Sequence, residues 1–121
     1  MLFFGDTTVN VDVDAETLAD VAEMIADAAK TFDAVPRVAM LSFSNFGSVR
    51  DPRSMMVAHA VELLRRRRPD LEVEGEMQAN VAVDFGLQQR IFPSTRLTGP
   101  ANVLIFPNLE AGNVAYKLMR E

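Results

Sequence analysis

The chain has 121 residues, 49% of them apolar, and a net charge of −5. That length and apolar share suit one compact domain with a real core. The lack of cysteine excludes disulfides, a thiolate nucleophile and thiolate zinc sites, and it fits a reducing cytoplasm.

Other function classes are disfavoured by pattern. No apolar run approaches the roughly 20 residues that span a bilayer, and no basic-then-apolar leader is present, so neither a membrane span nor a secretory signal is expected. Acids crowd the first 36 residues, while the rest is slightly basic with four arginines at 65–68. A nucleic-acid binder would carry a broader basic footprint.

In chain order, residues 2–4 are predicted as a short strand. Residues 9–13 (VNVDV) alternate apolar and polar, as a strand or an extended loop. Asp14 precedes a helical pattern in which Leu18, Val21, Ala22, Ile25 and Ala29 share one face. Asp14 is placed to cap that helix, and Glu16 complements its dipole. Residues 38–43 (VAMLSF) read as a strand covered on both faces. Residues 44–50 are a loop. Asp51 then caps a second helix that opens on Pro52 and buries Val57, Ala60, Val61 and Leu64. Its terminal arginines read as a solvated end favoured by the helix dipole.

Residues 71–73 are predicted as a third strand leading into Gly75. Residues 77–91 are predicted as one helix, with Val81, Phe85 and Leu87 among its apolar positions. Residues 92–100 are a loop, and residues 102–106 (NVLIF) a fourth buried strand. Asn108 is a good cap for a last helix. The alternation predicts a three-layer α/β/α domain on a largely parallel sheet.

Three polar clusters follow predicted strands, where open α/β sheets bind ligands. Residues 42–48 (SFSNFGS) offer hydroxyls, a glycine and backbone amides that suit a phosphate or acyl oxygen; ordinary turn geometry explains the same residues. Residues 74–80 (EGEMQAN) hold two carboxylates and two amides, an acid/base pair on one reading and a strand end with a helix cap on the other. Residues 107–113 (PNLEAGN) hold a glycine inside a helical pattern, fitting a ligand approach or a late helix start. His59 is the sole histidine and has no partner at metal-ligand spacing, so no metal is predicted. No dinucleotide fingerprint, phosphate-binding loop or nucleophile elbow occurs.

Together the strings 6–12 (DTTVNVD), 39–48 (AMLSFSNFGS), 68–82 (RPDLEVEGEMQANVA) and 101–118 (ANVLIFPNLEAGNVAYKL) resemble the phosphate acetyl/butyryl transferases. The SFSNFGS form is most similar to the phosphotransacetylase-like domain fused to bacterial NADP-dependent malic enzymes. The resemblance implies a fold like that of the isocitrate/isopropylmalate dehydrogenases. It also implies that residues 1–121 are a fragment equivalent to the family's second α/β domain, one wall of an interdomain cleft. Acetyl-CoA or CoA is the implied ligand, and Ser42, Ser44, Asn45, Gly47, Ser48, Glu76, Gln78 and Asn108 are the implied wall. The family tends to carry a Ser-Thr-Lys-Gly-Ser-like loop, where this chain has Asn45 and Phe46. Its Asp-Gly-Glu-Leu-Gln stands here as Glu74 to Gln78, and a family aspartate is Asn80. A regulatory, oligomer-forming domain of a malic enzyme is therefore the first expectation. Part of an active phosphate acetyltransferase is the second. The 121 residues alone are expected to lack transferase activity, because the family's Ser-Arg motif and further arginines lie outside them.

Overall fold

Strands and helices alternate because apolar strand runs are separated by capped amphipathic segments. The computed structural model describes residues 2–5, 14–48 and 50–107. Its elements are β1 (Phe3–Gly5), α1 (Ala15–Lys30), β2 (Arg37–Leu41), α2 (Pro52–Arg67), β3 (Glu72–Met77), α3 (Ala79–Val83), α4 (Phe85–Ile91) and β4 (Val103–Ile105). The strands form one parallel sheet in the order β1-β4-β2-β3. In register, Val38 lies between Val73 and Val103.

Crossovers between parallel strands are right-handed, so opposite directions of travel put the connecting helices on opposite faces. The chain moves one way across the sheet from β1 to β2 to β3, then returns to β4. Accordingly α1 and α2 cover one face, burying Leu18, Ala22, Val57 and Leu64 against Val38, Met40, Val73 and Ile105. The other face packs α3 and the segment after α4, with Val81, Leu97 and Ala101 against Leu41, Met77, Leu104 and Phe106. This is the predicted layered α/β architecture with a parallel sheet.

The two predicted caps that fall within the described residues form. Thr17 N donates to Asp14 Oδ1 at 2.7 Å. Asp51 accepts from Arg53 N at 2.9 Å, and Ser54 completes a capping box. The buried face of α1 is alanine-rich: Ala15, Ala19, Ala22, Ala26 and Ala29 flank Leu18. Val21 and Ile25 sit at its edge over Gly5, where an added Cβ would lie 2.8 Å from Ile25 Cγ1. Edge-strand cover is partial, so these two predicted core residues are only half-buried.

Three departures from the sequence reading exceed one residue. Strand β2 ends at Leu41, because Ser42 and Phe43 already start the loop and Phe43 is exposed. Strand β3 runs to Met77 rather than stopping before Gly75. Glu74 is buried with partners: its Oε1 accepts from Arg65 Nη2 at 2.6 Å, and its Oε2 accepts from Arg96 N at 2.9 Å. A buried carboxylate needs such partners to offset its desolvation. The predicted helix 77–91 is two helices, broken at Asp84, whose carboxylate caps α4 by accepting from Leu87 N at 3.0 Å. There Gln88 is the buried residue, while Phe85 and Leu87 are half-buried. Residues 9–13 and the helix from Asn108 lie outside the described residues.

The arginine run is also not simply solvated. Arg65 holds Glu74, and Arg68 reaches across to α1, donating to Glu23 at 3.2 Å and Asp27 at 3.0 Å. Arg68 also binds Asp70, and that hydrogen bond holds the Asp70 carboxyl down to about 2.

Gly75 is required by both conformation and space. Its φ is 149°, and an added Cβ would lie 2.6 Å from Met40 O. Gly75→Ala is expected to destabilise the chain by about 3 kcal/mol in chemical denaturation. Gly86→Ala, in α4 with only ordinary contacts around the new Cβ, is expected to be neutral or stabilising by up to about 1 kcal/mol. Equal effects at the two positions would contradict this.

Candidate functional site: the crevice at the ends of β2 and β3

Strands β2 and β3 are neighbours, yet the chain leaves β2 toward α2 on one face and β3 toward α3 on the other. Their carboxyl ends therefore diverge. Such a switch point is where open α/β sheets form a ligand crevice. It brings the first two polar clusters together. The third, with Asn108, lies outside the described residues.

The loop after β2 is built by its own side chains. Ser48 Oγ accepts from Asn45 N at 3.1 Å and lies 3.3 Å from the buried Ser44 Oγ. Ser48 N donates back to Asn45 O at 3.0 Å. The turn passes through two consecutive left-handed residues, Phe46 at φ 50° and Gly47 at φ 83°. For a non-glycine residue such a φ costs about 1–2 kcal/mol. The cost is offset by a hydrogen bond from Phe46 N to Glu76 O at 2.7 Å. A ring stack of Phe46 on Phe92, with centroids 4.3 Å apart, adds to it.

Strand β3 and this loop interlock at four further points. Ser42 N donates to Met77 O at 2.9 Å. Gly47 N donates to Glu76 Oε1 at 2.8 Å. Gln78 N donates to Asn45 Oδ1 at 2.8 Å, and Gln78 Nε2 to Phe43 O at 2.8 Å. Asn45, Glu76 and Gln78 thus tie the crevice wall together, while Gly47 and Ser48 are exposed and Ser42 is half-buried.

Chemically the wall offers hydroxyls, backbone groups and one buried carboxyl. Residues 42–48 contain no cation. Arg53 lies over the Phe43 ring at 5.3 Å and pairs with Asp51 at 3.1 Å. The two carboxylates of the second cluster have separate partners: Glu74 binds Arg65 and Arg96 N, and Glu76 binds Gly47 N. Among the described residues no group of three or more His, Asp or Glu could hold a metal ion. No described helix is long and apolar enough to cross a membrane. The Phe46–Phe92 stack and the Arg65–Glu74 pair are absent from the sequence reading, since each joins residues of different elements that only the fold brings together.

This parallel sheet with helices on both faces is an α/β domain of the phosphotransacetylase kind. The chain belongs to the phosphate acetyl/butaryl transferase family, which it matches over residues 1–121. It is 42% identical over 118 residues to an NADP-dependent malic enzyme of Escherichia coli K12, covering 98% of this chain and 16% of that protein. It is 41% identical over 115 residues to a phosphate acetyltransferase of Bacillus subtilis 168, covering 95% of this chain and 36% of that protein. The solved EutD phosphotransacetylase from Staphylococcus aureus superposes with a TM-score of 0.89 at 37% identity, covering 97% of this chain and 37% of that one. The chain thus spans well under half the length of these relatives.

The interlock generates a contrast. Asn45→Ala leaves the part-buried Gln78 N–H without its acceptor and is expected to cost about 1–2 kcal/mol of stability. Gln78→Ala removes only a bond to the carbonyl of exposed Phe43, which water replaces, and is expected to cost under about 0.5 kcal/mol. Urea denaturation of both variants checks the order; a reversed order contradicts the interlock.

Proposed function

We propose that this phosphotransacetylase-like domain is the regulatory, acyl-CoA-binding and oligomer-forming part of a malic enzyme. Its residues form one wall of the ligand cleft, and malate oxidation is carried by another region of the full-length protein. The observation that carries this reading is the use of Asn45 and Phe46. At these positions the family resemblance implies a threonine and a lysine. Asn45 Oδ1 is committed to Gln78 N, and the Phe46 ring to Phe92. A loop that stabilises the charge of a transferring acyl or phosphate group needs donors or cations aimed at it. A loop that only holds a ligand does not. Ser42, Gly47 and Ser48 supply its accessible hydrogen-bonding surface, the buried Ser44 supports the turn beneath Ser48, and Asn108 is proposed to complete the wall. The assembly part of the reading draws on the exposed Phe32 and Val35, 64% and 67% accessible, which self-association would cover.

The second reading, part of an active phosphate acetyltransferase, is favoured by the 41% identity to the Bacillus subtilis enzyme. One set of measurements on the full-length protein separates the two. Calorimetric titration with acetyl-CoA is expected to give binding heat, and an assay with acetyl-CoA and phosphate is expected to form no acetyl phosphate. Acetyl phosphate formation establishes the second reading, and absence of binding heat contradicts the first. Light scattering of the same sample is expected to show an oligomer; a monomer removes the assembly part.

A further inference from the structure

Glu76 is unusual among the crevice residues. It is 4% exposed, and its Oε1 accepts from Gly47 N at 2.8 Å. Its Oε2 is buried and has no hydrogen-bond partner among the described residues. Buried polar atoms are almost always paired, because an unpaired one forfeits its hydration without compensation. Glu74, two residues earlier on the same strand, follows that rule: both of its oxygens have donors. The bond from Gly47 N fixes where the Glu76 carboxyl lies. It sits against the turn of the loop after β2, at the carboxyl end of β3.

An ionised carboxylate only accepts hydrogen bonds. Oε2 therefore suits a ligand N–H or O–H and repels a phosphate. The adjoining loop points the same way, since residues 42–48 carry no cation to balance a phosphate. Within an acyl-CoA, the pantetheine arm is the uncharged part that carries amide N–H and hydroxyl donors. We propose that Glu76 Oε2 is a ligand contact that accepts a hydrogen bond from the pantetheine arm, so that this part of the crevice receives the arm and the phosphates lie elsewhere. The proposal rests on the acyl-CoA reading above and assigns one atom within it.

Glu76→Gln tests this on the full-length protein. The amide oxygen keeps the acceptor for Gly47 N, and the amide NH₂ then turns a donor toward the ligand's donor. Titrations with acetyl-CoA and with S-acetylpantetheine, which lacks the nucleotide phosphates, are run on wild type and variant, with thermal melts of both. The variant is expected to lose roughly 10- to 100-fold in affinity for both ligands, the range of a charge-assisted hydrogen bond. Unchanged affinity overturns the assignment while leaving the acyl-CoA reading intact, as does a loss for acetyl-CoA alone. Wild-type protein that binds neither ligand contradicts both. If Glu76→Gln does not fold, wild type is titrated with S-acetylpantetheine analogues methylated in turn at each amide nitrogen and at the secondary hydroxyl. One of them is expected to bind at least about tenfold more weakly; full affinity for all of them overturns the assignment.

Discussion

The handedness of parallel crossovers organises this molecule. A right-handed connection from β2 outward to β3 places α2 on one face of the sheet, and a right-handed return from β3 to β4 places α3 and α4 on the other. The ends of two adjacent strands are thereby pulled apart, and a crevice opens between them. Neither the loop after β2 nor the end of β3 makes the site alone. The sheet order makes it, by setting them side by side with their exits diverging.

Once adjacent, the two segments hold each other. Backbone groups of one meet side chains of the other: Gly47 N with Glu76, and Gln78 N with Asn45. The left-handed turn at Phe46 and Gly47 brings their own amides toward Glu76 of β3, and the Phe46 ring stacks on Phe92 at the end of α4. Beneath them Gly75 lets β3 approach Met40 closely. The wall is thus a packed unit in which residues 42–48, residues 74–78 and Phe92 are mutually constrained.

Local chemistry was largely legible in the sequence. Asp14, Asp51 and Pro52 mark helix starts because caps act over three residues, and the apolar runs around Val38 and Val103 read directly as two-sided strands. The stripe of α2 was read residue for residue. What failed were judgements that need a partner distant in the chain. Glu74 and Glu76 make β3 look like a strand end until Arg65, Arg96 and Gly47 are placed beside them. The break at Asp84 was hidden by a helical run of apolar residues that continues through it. At the site, the polar clusters were visible as composition. Their division into groups that hold the wall and groups that face outward follows only from the interlock.

The same division frames the functional reading. Family membership and a shared sheet supply the crevice, and the residues at its turn decide what it does. Here Asn45 and Phe46 stabilise the turn, and the wall that they hold carries hydroxyls, backbone amides and one buried carboxyl. The most direct test is hydrogen–deuterium exchange of the full-length protein with and without acetyl-CoA. Protection confined to residues 42–48 and 76–80, with residues 15–30 of α1 unchanged, is the predicted result. Ligand-induced protection that leaves residues 42–48 and 76–80 untouched would contradict the crevice as the binding wall.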